Sequence, residues 1–248
     1  MIELCGLTKR FGDLLAVDSL TLRVRPGEIF GFLGPNGAGK TTTVRMLSGL
    51  LQPTAGAARI CGFDIVTQPL EAKRVLGLVP DEPFVYPKLT GAEFLRFVGD
   101  LYGVPQAAQR RRIPELLEMF ELSGWGGELV DSYSHGMRQK LVLASILLHE
   151  PKALLLDEPL VGLDPKSARL AKEILKRLAQ RGCAVFMCTH VLEIAERICD
   201  RIGIQSGGRL LAQGTLEELR GGGGAAPLED IFLALTGGQQ YAELLKHL

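Results

Sequence analysis

Residues 34–41 read Gly-Pro-Asn-Gly-Ala-Gly-Lys-Thr, which fits the pattern G-x-x-x-x-G-K-[ST] without a gap. In this pattern backbone N–H groups close around phosphate oxygens, and side chains at the glycine positions would block that approach. Residues 28–33 predict a buried strand before the loop, and residues 40–47 predict the helix after it. Strand, glycine loop and helix in this order indicate a phosphate-binding loop, with the anion at the helix N-terminus.

The loop also indicates which of its residues contact a nucleotide. The Lys40 ammonium can reach the outer phosphates, and the Thr41 hydroxyl can bind Mg²⁺. A chance match to a glycine-rich turn is the alternative, and the flanking strand and helix argue against it. The predicted nucleotide-binding residues of this segment are Gly34, Asn36, Gly37, Gly39, Lys40, Thr41 and Thr42.

Composition excludes several classes of protein. The 28 basic residues balance 28 acidic ones, so no net field draws the chain to nucleic acid or to an anionic membrane. Apolar stretches such as residues 141–148 are too short to span a bilayer, and residues 1–4 lack the basic and apolar regions of a signal peptide. The five cysteines form no C-x-x-C pair and lie among apolar residues, so we expect buried, reduced thiols in a cytoplasmic protein.

Periodicity divides the chain into a mixed α/β core and a helical insertion. Apolar residues at period two or in short runs predict strands, and a repeat of three to four predicts helices. Strands are predicted at 20–24, 54–64, 76–79, 153–156 and 183–188, with a hairpin at 201–213. Helices are predicted at 92–102, 113–122 and from Asp164-Pro165 to near Gly182, and Thr215 with Glu218 forms a capping box. The predicted domains are residues 1–83 with 150–220 (nucleotide-binding core), 84–149 (helical) and 221–248 (Gly-rich link and helical tail).

A second motif supports nucleotide chemistry. Residues 154–158 read Leu-Leu-Leu-Asp-Glu, an apolar strand ending in two carboxylates. The strand would place Asp157 at the carboxyl edge of the sheet, where it can hold Mg²⁺ through water. Glu158 can then orient or polarise an attacking water. An acidic pair that merely caps the next segment is the alternative, and it is less convincing beside residues 34–41.

A third motif makes the pattern specific. Residues 134–139, Ser-His-Gly-Met-Arg-Gln, open an apolar helix before that strand. With this segment the chain resembles the ATP-binding subunit of an ABC transporter, over residues 1 to about 220. The family signature is Leu-Ser-Gly-Gly-Gln or a close variant, and residues 133–137 read Tyr-Ser-His-Gly-Met.

The resemblance implies a fold, cofactors and further site residues. The fold would be α/β: a P-loop NTPase core with a parallel sheet, an antiparallel β subdomain and an inserted helical subdomain that carries the signature. The cofactors would be ATP and Mg²⁺. Phe11 would stack on adenine, Ser134 and Gly136 would contact the γ-phosphate of the opposite subunit, and His190 would contact the γ-phosphate of its own. Asp164 falls in the loop that crosses the dimer interface in this family.

Each of these assignments has a structural alternative. Phe11 could be ordinary core, and His190 could cap a helix. Ser134 could be only the N-cap of its helix, which is compatible with phosphate binding because a hydroxyl and free N–H groups at a helix N-terminus bind anions.

Two departures from the family pattern stand out. His135 replaces the first glycine of the signature and Tyr133 its leading leucine, while Ser134 and Gly136 are kept. After the strand that ends at Val79, the family usually has a glutamine that contacts Mg²⁺ and water. Asp81 aligns with that glutamine and is the third predicted metal-binding residue, after Thr41 and Asp157. The alternative is that Asp81 faces solvent and that Glu82 or a water takes this contact.

The resemblance implies an ATPase that drives substrate translocation through a separate transmembrane permease. Two ATP-binding subunits, as a homodimer or a paired set, would close head to tail around two ATP molecules. The protein would lie in the cytoplasm, on the inner face of the cell membrane through its permease, and no nucleic acid partner is expected. Residues 84–87 and the helix after Thr90 form the predicted docking surface, unless they only pack on the lobe's own core. The signature and residues 80–83 favour the exporter-like branch.

Three other classes remain as alternatives. A soluble ABC-type ATPase acting on DNA would need a long coiled coil between the two nucleotide motifs, and a ribosomal one usually carries two cassettes. A phosphate-loop kinase or GTPase would lack the Ser134–Gly136 pair and His190. A nucleotide-binding regulatory subunit is compatible with the change at Asp81, and ATP turnover would separate it from an ATPase.

Overall fold

The structure, a computed structural model, describes residues 1–221 and 226–237. Two sheets and nine helices make up these residues, with two short 3₁₀ turns at Ser123–Trp125 and Val130–Ser132. In chain order the elements are β1 (Ile2–Phe11), β2 (Leu14–Val24), β3 (Ile29–Leu33), α1 (Lys40–Leu47), β4 (Ala55–Ile60), β5 (Phe63–Asp64), α2 (Pro69–Arg74), β6 (Leu76–Val79), α3 (Gly91–Leu101), α4 (Gln106–Met119), α5 (His135–His149), β7 (Ala153–Asp157), α6 (Pro165–Gln180), β8 (Ala184–Thr189), α7 (Leu192–Ile198), β9 (Arg201–Ser206), β10 (Arg209–Gly214), α8 (Leu216–Leu219) and α9 (Leu228–Thr236).

The first sheet is antiparallel, in the order β2-β1-β4-β5. Its long strands alternate buried and exposed residues, as a sheet with one face on the core requires. Leu4 of β1 lies opposite Leu22 of β2 and opposite Ala58 of β4. The three strands therefore present one common apolar face to the core. The sheet covers one side of the nucleotide-binding core.

The second sheet carries the strand ends that matter for function. Its order is β10-β9-β3-β8-β7-β6, and β9, β3, β8, β7 and β6 run parallel. Strands β3, β7 and β8 are buried along their whole length, which explains their unbroken apolar sequences. The carboxyl ends of parallel strands lie on one edge of a sheet, where ligands of such folds bind. Residues that follow β3, β6, β7 and β8 therefore meet at this edge.

Helices α3, α4 and α5 form a lobe between β6 and β7 in the chain. Thr90 and Glu93 form a reciprocal capping box at the start of α3, and the Ser134 hydroxyl caps α5 by accepting from the Met137 N–H at 3.3 Å. Buried Leu95 and Leu141 belong to the same apolar cluster that joins the lobe to the parallel sheet.

Polar and aromatic contacts join the three helices at the foot of the lobe, and the Tyr102 hydroxyl connects them to strand β6 of the core. The Tyr102 ring stacks on His149 with centroids 3.8 Å apart, and its hydroxyl donates to the Leu76 carbonyl at 3.3 Å. Arg112 donates to the Leu147 carbonyl at 2.5 Å and pairs with Glu150 at 2.9 Å. Burial lowers the pKa of His149 to about 4, so this ring is neutral at physiological pH.

Most of the predicted elements are confirmed, and their bounds differ in places. The strand 76–79, the hairpin after residue 200, the Asp164 cap and the Thr215–Glu218 capping box are all present. The helix expected at 113–122 instead spans Gln106–Met119. It begins earlier and continues through Pro114, and it ends before Glu121, whose φ of +59° is not helical. The single strand expected at 54–64 is two strands, divided by the turn at residues 61–62.

The expectation of buried thiols is only partly correct. Cys183 and Cys188 are buried, and Cys61 and Cys199 are partly buried. Cys5 is exposed, because the pleat of β1 turns it away from the core while Leu4 faces in; all five cysteines are free. The predicted helical tail includes α9, while residues 222–225 and 238–248 lie outside the described part of the chain. Within that described part, no helix is long and apolar enough to cross a membrane. The domain boundaries stay a prediction.

The buried His149 predicts a specific pH dependence of stability. Its folded-state pKa, about 4, lies below the ordinary 6.5, so the unfolded chain binds more protons between these values. The contribution of the neutral His149 to the free energy of unfolding should therefore be fully present above pH 6.5 and should be lost as the pH falls towards 4. We expect a loss of about 2 kcal/mol in unfolding free energy at pH 5 that His149→Phe, which keeps a ring against Tyr102, does not show.

Urea denaturation of both proteins at pH 8 and pH 5 measures this difference, because carboxylates common to both proteins cancel. An equal pH dependence in the two proteins would contradict a buried, neutral His149.

Candidate functional site

The phosphate loop is shaped by glycines that no other residue could replace. Gly39 has φ +106° and forms the N-cap of α1, and a Cβ there would lie 2.3 Å from the Ala16 carbonyl oxygen. At Gly34 a Cβ would lie 2.5 Å from the Gln205 carbonyl oxygen. Within the described helix α1 the first turn carries no acidic side chain, so its N–H groups and positive dipole end are available to an anion.

Lys40 is held inside this loop. Its side chain is buried, and its Nζ donates to the carbonyl oxygens of Gly34 at 2.7 Å and Pro35 at 3.1 Å. The ammonium thus lies on the concave side of the loop that would cradle phosphates, as the motif predicts.

A cleft of about 670 Å³ opens in front of the loop at the carboxyl edge of the parallel sheet. The register explains why residues distant in sequence meet here: Leu33 lies beside Thr189, and Asp157 beside Cys188. Eleven predicted site residues line the cleft: Phe11, Asn36, Gly37, Gly39, Lys40, Thr41, Thr42, Asp81, Asp157, Glu158 and His190.

Asp157 has two other carboxylates near it. Burial raises its pKa, the nearby Asp81 and Glu158 carboxylates add to this, and the Thr41 hydroxyl and Lys40 act against it. Three carboxylates and a hydroxyl thus line the cleft beside the phosphate loop. A cation bound here would remove the repulsion between them.

Glu158 is oriented by the residues that follow β8. Its Oε2 accepts from the Thr189 hydroxyl at 3.0 Å, and its Oε1 accepts from the His190 N–H at 2.9 Å. The His190 Nδ1 lies 2.7 Å from the same Oε1, so the carboxylate favours a proton on this nitrogen. Glu158 also has φ +49°, a left-handed conformation that strains a residue with a Cβ. The contacts with Thr189 and His190 therefore fix the orientation of the Glu158 carboxylate.

Phe11 lies at the rim of the cleft. Its side chain is 46% exposed, which excludes the alternative of ordinary core. The Lys9 ammonium lies 5.0 Å from the ring centroid on one side. An accessible aromatic ring beside a phosphate loop can stack on a purine base.

The signature residues are not part of this cleft. Ser134 is exposed at the N-terminus of α5, and Gly136 lies in the first turn of that helix, against the Gly162 carbonyl. Neither lines the cleft that Lys40 lines. The structure thus brings together the two nucleotide motifs, Asp81 and His190, and leaves Ser134 and Gly136 facing elsewhere.

Sequence reasoning missed one side of the cleft. The turn at Gly207–Gly208 lines it, with the Gly208 N–H donating to the Ala38 carbonyl at 3.1 Å and its carbonyl accepting from the Asp18 N–H at 2.9 Å. The turn itself was predictable from its two glycines. Its place beside the phosphate loop follows from the parallel pairing of β9 with β3, for which the sequence carries no local signal.

Comparisons with known proteins agree with this geometry. The family model described as ABC transporter matches residues 17–161. Over 214 residues the chain is 42% identical to "Nod factor export ATP-binding protein I" of Ralstonia nicotianae. The aligned residues make up 86% of this chain and 67% of that protein.

Two solved structures share the fold. The one described as "Structure of ATP binding subunit of ABC transporter" has a TM-score of 0.91 and 33% identity, covering 95% of this chain and 99% of its own. A dimeric, post-hydrolysis ATP-binding cassette bound to ADP and Pi has a TM-score of 0.79 and 26% identity, covering 87% and 99%. The chain belongs to the ABC transporter family, as an ATP-binding subunit with ATPase activity.

Proposed function

We propose that this chain powers the export of a substrate through a separate membrane permease, with Glu158 and His190 as its catalytic residues. The observation that carries the catalytic assignment is the Glu158 carboxylate, which Thr189 and His190 hold at the edge of the phosphate-loop cleft. The export direction rests on the relative named for Nod factor export. The location would be the cytoplasmic face of the membrane, against the permease.

The chemistry of the site follows from these contacts. Glu158 orients a water for attack on the γ-phosphate and acts as the general base that accepts a proton from this water. The His190 ring lines the cleft, and its Nδ1 contacts Glu158. Its Nε2 can donate a hydrogen bond to the γ-phosphate only when that nitrogen is protonated as well, so this contact requires the imidazolium form of the ring. The Lys40 ammonium and the N–H groups of the phosphate loop stabilise negative charge that develops on the transferred group.

The oxygen donors around Asp157 fit Mg²⁺. Thr41, Asp157 and Asp81 supply a hydroxyl and carboxylates, the ligands that this hard cation prefers. In the described part of the chain no three His, Cys, Asp or Glu side chains form a metal cage of their own. Mg²⁺ would neutralise charge on the β- and γ-phosphates.

The position of the signature supports a composite site. Ser134 and Gly136 combine a hydroxyl with a helix N-terminus, which suits a phosphate, and they lie outside the cleft of their own chain. A second ATP-binding subunit placed head to tail would bring its signature to this cleft. The dimeric form of the cassette structure supports such an arrangement.

An aromatic surface on the lobe supports docking of the permease. Phe84 is 75% exposed and meets Tyr86 at 5.9 Å between ring centroids, and Tyr86 meets Phe97 at 5.1 Å. Contiguous exposed aromatic rings mark a protein-interaction surface, whereas Val85 of the same segment packs inward. The surface follows directly after Asp81, so a docked permease would touch the segment that reaches the nucleotide cleft.

Glu158→Gln tests the catalytic assignment. The amide keeps the size of the side chain but cannot accept a proton, so we expect unchanged ATP affinity and turnover lower by about 10²-fold or more. The variant should also accumulate as an ATP-bound dimer, which size-exclusion chromatography detects. Lys40→Ala is the comparison, and it should lose nucleotide binding. Full turnover in Glu158→Gln would exclude Glu158 as the catalytic base.

A mixture of two inactive variants tests the composite site. Gly136→Asp blocks the signature, and Lys40→Ala disables the phosphate loop, so a heterodimer of the two keeps one intact composite site. Because random pairing makes half of the dimers heterodimers, about a quarter of the wild-type ATPase rate should return on mixing. Heterodimers confirmed by pull-down but no more active than either variant would contradict independent composite sites.

Asp81 generates a prediction on metal dependence. Of Asp81 and Glu82, only Asp81 lines the nucleotide cleft, and its charge acts on Asp157. If Asp81 is a ligand, Asp81→Ala should raise the Mg²⁺ concentration for half-maximal hydrolysis several-fold, and Asp81→Gln should stay active with a changed metal preference. Glu82→Ala serves as the matched control. An Mg²⁺ dependence unchanged in both Asp81 variants would reject the ligand role.

A further inference from the structure

A glutamine side chain without a hydrogen-bond partner lies behind the phosphate loop. Gln205 of β9 is fully buried, and neither its Oε1 nor its Nε2 has a partner among the described residues. Burying an amide in this way is unfavourable, because the hydrogen bonds that it makes to water in the unfolded chain are not replaced. Such groups are rare in folded proteins and are expected mainly at functional or strained sites.

The pleat of β9 explains why this side chain points towards the loop. Ile202 and Ile204 pack in the apolar cluster that includes helices α7 and α9. Successive side chains of a strand alternate between its faces, so Gln205 points to the opposite face, as Gly203 does. On that face the Phe30 ring lies against the strand, since a Cβ added at Gly203 would be 2.9 Å from its Cζ. The surroundings of this face are therefore those of an apolar core.

Gln205 meets the phosphate loop near both of its ends. A Cβ added at Gly34 would lie 2.5 Å from the Gln205 carbonyl oxygen, and one added at Gly39 would lie 3.2 Å from the Gln205 Nε2. The same Cβ at Gly39 would lie 2.3 Å from the Ala16 carbonyl oxygen. The Ala16 carbonyl and the Gln205 amide thus border one small space beside Gly39, so a small movement of this backbone brings the amide to an acceptor.

This backbone forms one wall of the nucleotide cleft. Ala16 and Gly39 line the cleft, while Gln205 lies behind them and does not. The Gly208 N–H, which donates to the Ala38 carbonyl at 3.1 Å, holds the turn after β9 against the same loop. Phosphate oxygens bound by the N–H groups of the loop would pull on the wall from the cleft side. The Gln205 amide is placed to respond from the other side.

We propose that Gln205 is a positioning residue for nucleotide binding, whose Nε2 donates to the Ala16 carbonyl when the phosphate loop closes on phosphates. The unpaired amide disfavours the loop arrangement in which it has no partner, so its pairing adds to the affinity for nucleotide. Gln205 acts through the loop and does not touch the ligand. The proposal rests on residues 34–41 as the nucleotide site.

The test compares two buried glutamines in the full chain. Gln205→Met keeps the length of the side chain and removes its polar atoms, and Gln109→Met does the same in the lobe, where the Gln109 Nε2 donates to Asp100 and to the Val104 carbonyl, each at 2.8 Å. By isothermal titration calorimetry, the Kd for Mg-ADP should rise about tenfold in Gln205→Met and stay within about twofold in Gln109→Met. The KM for ATP of Gln205→Met should rise to a similar extent, while its kcat should change less than about twofold.

Thermal unfolding without nucleotide gives the second measurement. The unfolding temperature of Gln205→Met should be equal to that of the wild type or higher, because an apolar group replaces an unpaired amide. That of Gln109→Met should be lower, because this variant loses two hydrogen bonds and leaves the Val104 carbonyl without its donor. A purely structural role of Gln205 would not combine weaker nucleotide binding with equal or higher stability.

The outcomes separate this proposal from the nucleotide site itself. An unchanged Kd for Mg-ADP in Gln205→Met would overturn the role of Gln205, and so would a lower unfolding temperature without nucleotide. If Gln205→Met does not fold, Gln205→Leu takes its place, and failure of both variants to fold would also overturn the proposal. The assignment of the phosphate loop is tested separately by Lys40→Ala, which should lose Mg-ADP binding whatever the result at Gln205.

Discussion

The parallel pairing of β3, β7 and β8 is the constraint on which the rest of this structure depends. In that register Leu33, Asp157 and Thr189 end their strands at one edge of the sheet. The phosphate loop, Glu158 and His190 are then neighbours, because each follows directly after one of these strands. All three strands are buried on both faces, so slipping one of them by a residue would mispack its side chains and move its end away from the site.

The cleft at this edge carries an excess of negative charge, although the whole chain has none. The whole chain is neutral, yet three carboxylates meet the phosphate loop in one cleft, and burial raises the Asp157 pKa. The Lys40 ammonium is the nearby positive charge, and it rests on the carbonyl oxygens of its own loop. A site of this kind gains most from a ligand that brings phosphate and cation together, which is how a magnesium nucleotide arrives.

The local parts of the site could be predicted from the sequence, and its assembly only in part. The residue types of the phosphate loop require a particular backbone, so the helix at residues 40–47 was predicted with its observed bounds. The contact of Gly208 with Ala38 depends on strand pairing across most of the chain, for which no local pattern exists. The exposure of Cys5 depends on which way β1 faces, and its apolar neighbours alone did not reveal that. The Glu158–His190 contact was not foreseen, although both residues had been singled out.

The left-handed backbone at Glu158 combines strain and the proposed catalytic group at a single position. At φ +49° a residue with a Cβ is strained, and glycine would adopt the same conformation freely. A glycine there would relieve the strain, of about 1 kcal/mol or more, but it would also remove the hydrogen bonds of the carboxylate to Thr189 and His190. The contacts that orient Glu158 therefore also offset its backbone strain, and a substitution that relaxes the backbone removes the carboxylate. Directed evolution of this chain needs a screen for ATP turnover from its first round.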